Sequence, residues 1–589
     1  MRAWARVCLG LSVLAAAGSA PSRAEACGGT FCDQAPPGQP PMPVDQTGEN
    51  VLFVMQNGFV EAHIQIQYQG DPARFAWIIP IPVEPELSVG SQLLFTNLMN
   101  GTVPTFTTTN SFQSCGSDTS SGSSSAGCAM SSADSAGGSF VPSSGAGGAG
   151  PNTKAPTIVG RQAVGNFETL TLKPTDAKGM LDWLVQNNYD ADQADAEPIL
   201  KEYIDKKYVF VALKLQPNTG VDEIHPIVVR YQGTEPCVPL KLTRIAAVED
   251  MTVRTFFLGD QRVVPTGGYK HVTLNDARLD WTNLGQNYDL AVSRAVDSPA
   301  ANGRAFITEY AGPTNVVSSS GISQSNWDGV ILKTLEPEAV VARLQAWNLL
   351  DCFSAASCTS PHPLVFPLLD RYLPPPAGVS PEEYYSCLSC YPGADLSAWN
   401  ADAFGDDFDE LVATPAQHAT EVLLGNVYLT RMLTRISPEE MTEDPMFLEW
   451  PKPLPDVSNQ LSAVRTTRCD GNLVTTTSTG RRVAGTSAPG DLPTDLPWAS
   501  SVEEFTQGGE YLLLVDNDDE IDSALAGYNQ RVAPESATSA SGLGDETNAS
   551  CGCTLPAKRA SHGILLALLG ALGLLRRATR TRVRRATKT

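Results

Sequence analysis

Four cysteines in the second half of the sequence have types and spacings that suit either disulfide or metal chemistry. Cys387 and Cys390 form a CxxC pair, and Cys352 and Cys358 precede them. Four thiolates can hold zinc, but the spacing of the first pair is unusual for a zinc site. In an oxidising compartment such cysteines form disulfides. The pattern therefore favours disulfides among these four residues, with zinc as the alternative.

The remaining cysteines of the body are also assigned by spacing. An exported chain with an even number of cysteines typically pairs them all. The predicted pairs are Cys27 with Cys32, Cys115 with Cys128, and, as the long-range pair, Cys237 with Cys469.

Two acidic clusters have the oxygen-rich character of calcium sites. One cluster contains Asp516, Asp518, Asp519, Glu520 and Asp522, and the other contains Asp402, Asp406, Asp407, Asp409 and Glu410. The first cluster has Ile521 where an EF-hand loop needs glycine. Solvated acidic faces explain both clusters equally well. Calcium is thus one alternative, and no other cofactor is predicted.

Catalytic motifs are not evident in the sequence. It has no HExxH zinc-protease motif and no GxxxxGK[ST] phosphate loop, and the nearest GxSxG segment, 122–126, lacks its last glycine. A Ser-His-Asp triad assembles across a sequence, so a dispersed one is compatible with this chain. His63 is predicted to face solvent on a strand, as an ordinary surface histidine or one with its hydrogen bonds satisfied. The sequence assigns no catalytic, cofactor-binding or metal-ligating residue.

The N-terminus has the order of an exported signal peptide. Arg2 and Arg6 precede an apolar run, and Ala24-Glu25-Ala26 stands before Cys27. We therefore predict that residues 1–26 are removed and that the protein is exported. Acylation of Cys27 is the alternative, although leucine is usual at the position that Ala24 occupies.

The C-terminus is predicted to anchor the protein in the cell envelope or at the outer surface. Residues 533–562 form a polar stalk that contains Cys551-Gly552-Cys553, and 563–589 form an apolar helix with an arginine-rich cytoplasmic tail. The apolar stretch 563–575 spans about 20 Å, less than a hydrocarbon core of about 30 Å. This arrangement resembles the MYXO-CTERM type of sorting tag. The resemblance implies processing near Cys551 and Cys553, with the membrane and a sorting machinery as partners.

The body between these termini is acidic and is predicted to be globular. The formal net charge is −23 although both termini are basic. Such a surface repels phosphates, so a nucleic-acid partner is excluded. The length suggests more than one unit. We expect one α+β region at 27–300, with a Ser/Gly-rich disordered insertion at 111–153, and a second, cysteine-containing one at 301–532.

Local patterns predict the α+β class with mixed or antiparallel sheets, flanking helices and disulfide bracing. Asn57-Gly58 indicates a tight hairpin, and Pro80 and Pro82 mark a strand that cannot pair on one side. Helices are predicted at 176–188, 194–207 and 338–350. Strands are predicted in "YVFVALKLQP", "IHPIVVRYQG", "VPLKLTRI" and, last, "YLLLV".

Several phrases occur in an order that resembles a bacterial family, domain of unknown function 2330. They are "CGGTFC", "PVDQTGENVLF", "HIQIQYQGDPARFAWIIPIP", "LDWLVQNNY", "YVFVALKL", "PLKLT" and "LTRISPEEMTEDPMF", within residues 25–450. The resemblance implies an exported envelope protein and carries no catalytic residue. We expect a non-enzymatic protein for adhesion, envelope structure or ligand binding. An exported hydrolase with a dispersed site is the alternative.

Overall fold

The computed structural model describes residues 45–69, 76–115, 155–187, 196–216, 223–354, 357–485 and 491–534. The strands are β1 (Asp45–Gln56), β2 (Phe59–Gln69), β3 (Ala76–Ile81), β4 (Glu86–Val89), β5 (Thr105–Phe112), β6 (Thr157–Val164), β7 (Phe167–Lys173), β8 (Val209–Leu215), β9 (Ile227–Gln232), β10 (Ala247–Gly259), β11 (Val263–Thr266), β12 (Lys270–Leu274), β13 (Ala305–Pro313), β14 (Asp351–Ser354), β15 (Ser357–Thr359), β16 (Tyr428–Ile436), β17 (Met446–Glu449), β18 (Gln460–Thr467), β19 (Leu473–Thr477), β20 (Arg482–Ala484), β21 (Ala499–Phe505) and β22 (Tyr511–Asp516).

The α-helices lie between these strands and after the last one. They are α1 (Gln92–Thr102), α2 (Ala177–Gln186), α3 (Ala196–Asp205), α4 (Leu240–Thr243), α5 (Tyr288–Val296), α6 (Gly329–Leu332), α7 (Pro337–Ala346), α8 (Val365–Tyr372), α9 (Pro381–Ser386), α10 (Ala401–Phe408), α11 (Thr414–Gly425) and α12 (Asp518–Val532). A π-helical turn, Asp409–Ala413, joins α10 to α11.

A ten-stranded mixed sheet organises the described residues, in the order β22-β21-β12-β13-β16-β10-β1-β2-β9-β4. The pairs β1–β10 and β12–β13 are parallel, and the other pairs of this sheet are antiparallel. The predicted α+β class with mixed and antiparallel sheets is confirmed. Strands from both sides of residue 300, where the sequence suggested a boundary, lie in this one sheet.

The hairpin predicted at Asn57-Gly58 is present between β1 and β2. Both residues have positive φ angles, 54° and 78°. A type I′ turn needs this conformation at both central positions, and asparagine and glycine adopt it at low cost. The hairpin fixes the register of the two central strands, in which Leu52 lies opposite His63 and Val54 opposite Glu61.

The proline-bearing strand is an edge strand, as predicted. Pro80 lies in β3, the outer strand of a four-stranded sheet of order β3-β8-β7-β6, opposite Phe210. Because proline has no N–H group to donate, the free side of this edge resists pairing with another chain. The predicted strand "VPLKLTRI" is wrong, because its centre forms the short helix α4 after Pro239.

His63 corrects a second prediction. Its side chain is 1% exposed, so it does not face solvent. Leu52 and Val54, which lie opposite His63 and Glu61, pack with Ala419 and Leu423 of α11. Helix α11 therefore covers the face of β2 that alternation alone predicted to be wet. The opposite face, which includes apolar residues of β1 and β2, enters the largest core.

The disulfides differ in part from those predicted. Cys115 is bonded to Cys469, and not to Cys128, while Cys237 is a half-buried free thiol and not the partner of Cys469. The reason is that β5 runs parallel to β18, so the chain segments that leave these strands carry Cys115 and Cys469 side by side. Spacing along the sequence does not reveal this neighbour relation.

The four-cysteine segment forms two local disulfides. Cys352 is bonded to Cys358 across the β14–β15 hairpin, and Cys387 is bonded to Cys390 after α9. In the zinc alternative the same four sulfurs would meet at one ion, whereas here they are joined two by two.

Several predictions fall outside the described residues. They concern the signal peptide 1–26, Cys27, Cys32, Cys128, most of the insertion 111–153, the stalk with Cys551 and Cys553, and the terminal segment 563–589. Within the described part of the chain, no helix has both the length and the apolar character that crossing a bilayer requires.

Candidate functional site

A cavity of about 800 Å³ opens beside β12, β13 and β21. Its volume lies within the range of small-molecule sites. The wall is largely apolar and includes Ile307, Trp450, Leu454, Val457, Leu461 and Phe505. The polar groups Arg262, His271, Thr308, Glu503 and Tyr511 also line the wall. An apolar chamber with a few converging polar groups is the usual form of a ligand site.

Three neighbouring strands bring a hydroxyl, an imidazole and a carboxylate into one row. The register of β12 and β21 places Glu503 opposite His271, and β13, which carries Thr308, pairs with the other side of β12. His271 Nδ1 is 2.8 Å from Glu503 Oε2, and His271 Nε2 is 3.0 Å from Thr308 Oγ1. The pairing of β13 with β16 shifts its register directly after Thr308. Such bulges redirect side chains next to functional sites.

Arg262, the residue directly before β11, lies beside this row. Its Nη2 donates to Thr308 Oγ1 at 3.1 Å, and its Nη1 donates to the carbonyl oxygen of Pro455 at 2.9 Å. Its buried Nε has no hydrogen-bond partner among the described residues. No described carboxylate lies within ion-pair distance of this guanidinium. Arg262 is therefore a cation at the cavity wall that forms no direct ion pair with a described residue, although the charges of Glu503 and Asp456 are near enough to act on its pKa.

The protonation states in the row follow from burial and hydrogen bonding. Burial lowers the pKa of His271, against the opposing effect of Glu503. Burial is the largest influence and would raise the pKa of Glu503, but the hydrogen bonds from His271 and Tyr511 and the charge of Arg262 together bring the pKa below its usual value. The imidazole is thus neutral beside a carboxylate. Its Nδ1–H donates a hydrogen bond to Glu503, so its Nε2 can accept a hydrogen bond from the cavity side.

This arrangement can perform two kinds of chemistry. The guanidinium of Arg262 can donate to an anionic group, and the apolar wall can hold a hydrocarbon body. The Thr308 hydroxyl can also donate its proton to the neutral His271, which Glu503 orients, as in nucleophile–histidine–acid triads. Tyr511 adds a hydrogen bond of 2.9 Å to the second oxygen of Glu503.

The acidic cluster near the end of the described chain begins helix α12. Asp518, Asp519 and Glu520 occupy its first turn, where carboxylates stabilise the helix dipole. Arg481 forms an ion pair with Asp518, and its Nε lies 3.5 Å from Asp522 Oδ1. These contacts direct the carboxylates towards a cation of the protein itself.

The other acidic cluster disperses its side chains over four neighbours. Its contacts are Asp406 with Lys333, Asp407 with Arg371, Asp409 with the Gly329 amide, and Glu410 with the Gly165 amide. Among the described residues, neither acidic cluster brings three ligand atoms together. Calcium at either place stays a prediction from composition.

Sequence reasoning missed all four residues of the row. Arg262, His271, Thr308 and Glu503 are spread over more than 240 positions, and none belongs to a recognisable motif. The available signal was a histidine inside an alternating strand pattern, "YKHVTL". That signal does not show which strands lie next to β12.

A family model described as "Uncharacterized protein conserved in bacteria (DUF2330)" matches residues 24–334. The match contains Arg262, His271 and Thr308 and ends before Glu503. No curated protein and no solved structure matches the chain.

Proposed function

The chain belongs to the DUF2330 family of bacterial proteins, and on that premise we propose that it binds a small amphipathic anion, a carboxylate with an apolar body. The single observation that carries this proposal is Arg262, a guanidinium in the wall of an apolar cavity that forms no direct ion pair with any described residue.

A guanidinium in such surroundings is costly unless an anion meets it. Burial lowers the pKa of Arg262, because the charged form loses hydration that the opposing charges of Glu503 and Asp456 do not fully replace. Arginine presents a planar fork that fits a carboxylate with two parallel hydrogen bonds. A bound carboxylate would place a full negative charge beside this guanidinium.

The remainder of the cavity supports a hydrocarbon body. Trp450 and Phe505 pack edge to face at 4.9 Å, and aliphatic residues extend the apolar wall. Each buried methylene of a ligand contributes about 0.8 kcal/mol. A chain of about ten carbons combines that gain with a single charged end.

The binding proposal is compatible with the predictions of export at the N-terminus and anchoring at the C-terminus. An exported body on a polar stalk would meet amphipathic anions outside the cytoplasm, and the C-terminal tag would keep it at the surface. Export, anchoring and processing at Cys551 and Cys553 are proposed from the sequence pattern alone.

Calorimetric titration with decanoate tests the binding proposal. We expect saturable binding at one site, and at least tenfold weaker binding in Arg262→Gln, because a charge-assisted hydrogen bond contributes about 1.5–3 kcal/mol. Arg161→Gln is the matched control, since it removes the same charge from an exposed position on β6. Decanol, which lacks the charge, should bind more weakly and respond little to Arg262→Gln. Equal decanoate affinity in all three proteins would refute the proposal.

A second candidate function, ester hydrolysis, is favoured by the Thr308–His271–Glu503 row. Thr308 Oγ1 would attack the ester carbonyl carbon and pass its proton to His271 Nε2. His271 would then protonate the departing alcohol, and water would release the acid by the same route in reverse. Arg262 would stabilise the oxyanion.

Turnover of p-nitrophenyl octanoate tests this second function. Thr308→Val and His271→Gln should each abolish release of nitrophenol, and Thr308→Ser should retain it. Threonine and valine differ little in volume, and so do histidine and glutamine. A loss of turnover in Thr308→Val or His271→Gln therefore reports lost chemistry and not lost packing. Hydrolysis at the rate of buffer alone, in a protein that binds decanoate, would leave binding as the function.

A further inference from the structure

A second group of side chains that can bind a metal ion lies in a different region of the ten-stranded sheet. We propose that Glu61, His63 and His418 bind a divalent transition-metal ion of the zinc class. Two imidazoles and one carboxylate form the ligand set of hydrolytic zinc sites and of several other transition-metal sites.

The fold brings these residues together from distant parts of the chain. Glu61 and His63 are two residues apart on β2, so their side chains project from the same face. Helix α11 packs on that face through Ala419 and Leu423. His418, which precedes Ala419, is thereby placed over β2. A π-helical turn leads directly into this helix, and such turns are frequent at functional sites.

The three ligand atoms converge on one point. His63 Nε2 is 2.8 Å and His418 Nε2 is 2.7 Å from the same atom, Glu61 Oε1. The two rings are nearly parallel, with centroids 5.7 Å apart and planes 11° apart. All three ligand atoms lie within 4.8 Å of one another. Bonds of about 2.0–2.1 Å to zinc require the ligand atoms to lie about 3.3 Å from one another. Glu61 Oε1 would therefore move about half an ångström away from the two histidine nitrogens.

Hydrogen bonding inside the group leaves His63 incompletely satisfied. The residue is 1% exposed, and its Nδ1 has no partner among the described residues. Whichever ring nitrogen carries the proton, one buried polar atom of this imidazole is unmet, and such atoms are rare without a functional reason. A metal at Nε2 would replace the hydrogen bond to Glu61 and hold the ring proton on Nδ1.

The group is open on one side. Glu61 and His418 line a cavity of about 510 Å³ together with Glu86, Glu410 and Arg230. Arg230 is engaged by Glu86 at 2.8 Å, so the other carboxylates leave this cavity with an excess of negative charge. An acidic cavity attracts a cation. Three protein ligands and an open position are the arrangement that leaves room for water or a substrate on the metal.

Metal titration of the full chain tests the proposal. Protein stripped with a chelator is titrated with Zn²⁺, and bound zinc is counted by elemental analysis after desalting. We expect His418→Ala to lose one equivalent and to weaken binding by more than about 100-fold, since even outer-shell losses cost 10–100-fold. His271→Gln is the matched control, because it removes the histidine of the other buried His–Glu pair.

Cobalt provides a readout that a structural role would not change. Co²⁺ in a four-coordinate site absorbs strongly in the visible range, and this band should appear in the wild type and in His271→Gln but not in His418→Ala. The His418 side chain is 37% exposed, so the variant should fold, and an unchanged melting temperature without metal verifies this. Equal zinc content in His418→Ala and the wild type would overturn the proposal. So would equal losses in His418→Ala and His271→Gln.

Discussion

His225 should make the stability of this protein fall sharply in mild acid. The imidazole is buried, accepts a hydrogen bond from the Asn166 amide at 3.0 Å through Nε2, and contacts the Pro226 carbonyl oxygen at 2.9 Å through Nδ1. Both bonds together require the neutral ring with its proton on Nδ1. Burial is the largest influence and lowers the pKa of His225 to about 4, from 6.5.

The size and sign of the effect follow from this difference. Above pH 6.5 both folded and unfolded chains carry a neutral imidazole, so the contribution to stability is complete. Between pH 6.5 and pH 4 the His225 imidazole is protonated in the unfolded chain but stays neutral in the folded chain. The free energy of unfolding therefore decreases as the pH falls. From pH 7 to pH 5 the loss from this one residue is about 2 kcal/mol.

Urea unfolding followed by tryptophan fluorescence measures this loss. The comparison is wild type against His225→Gln, whose amide oxygen can still accept from Asn166 but does not titrate. The free energy of unfolding should drop by about 2 kcal/mol more in the wild type between pH 7 and pH 5, and the two proteins should change in parallel between pH 7 and pH 8. Parallel behaviour down to pH 5 would refute the argument that the folded imidazole stays neutral.

Three further predictions concern stability and are read from the free energy of unfolding. Cys469→Ser should cost about 2–5 kcal/mol, because it opens the long loop that the Cys115–Cys469 bond closes, and a reductant should have no further effect at this bond. Gly58→Ala should cost about 1–2 kcal/mol through its positive φ alone, because no atom lies near the added Cβ, and an unchanged stability would argue against the type I′ turn. Glu309→Gln should cost about 3–5 kcal/mol, because it leaves Arg431 buried without its counter-charge, and a loss below 1 kcal/mol would contradict this ion pair.

Features with local causes were predictable from the sequence. Asn57-Gly58 specifies its turn through backbone conformation, and Pro80 marks an edge because it lacks a donor. Helices α2 and α3 and strand β8 follow from side-chain periodicity. In each case the physical cause lies within a few neighbouring residues, so no knowledge of the tertiary neighbours was needed.

Features with non-local causes were not predictable. The alternation around His63 identified a strand but not the helix that covers its outer face, since α11 lies more than 350 positions away. The Cys115–Cys469 bond depends on the parallel pairing of β5 with β18. The row of Arg262, His271, Thr308 and Glu503 depends likewise on which strands are neighbours in the sheet. Its members carry no motif that a single sequence reveals.

The binding of an amphipathic carboxylate at Arg262 is tested most directly by a crystal structure of the protein with bromine-labelled decanoate at saturating concentration. We predict an anomalous bromine peak inside the cavity beside β12, β13 and β21, with the carboxylate at hydrogen-bond distance from the Arg262 guanidinium. An ordered Arg262 facing an empty cavity, or a carboxylate held by other residues, would contradict the proposal.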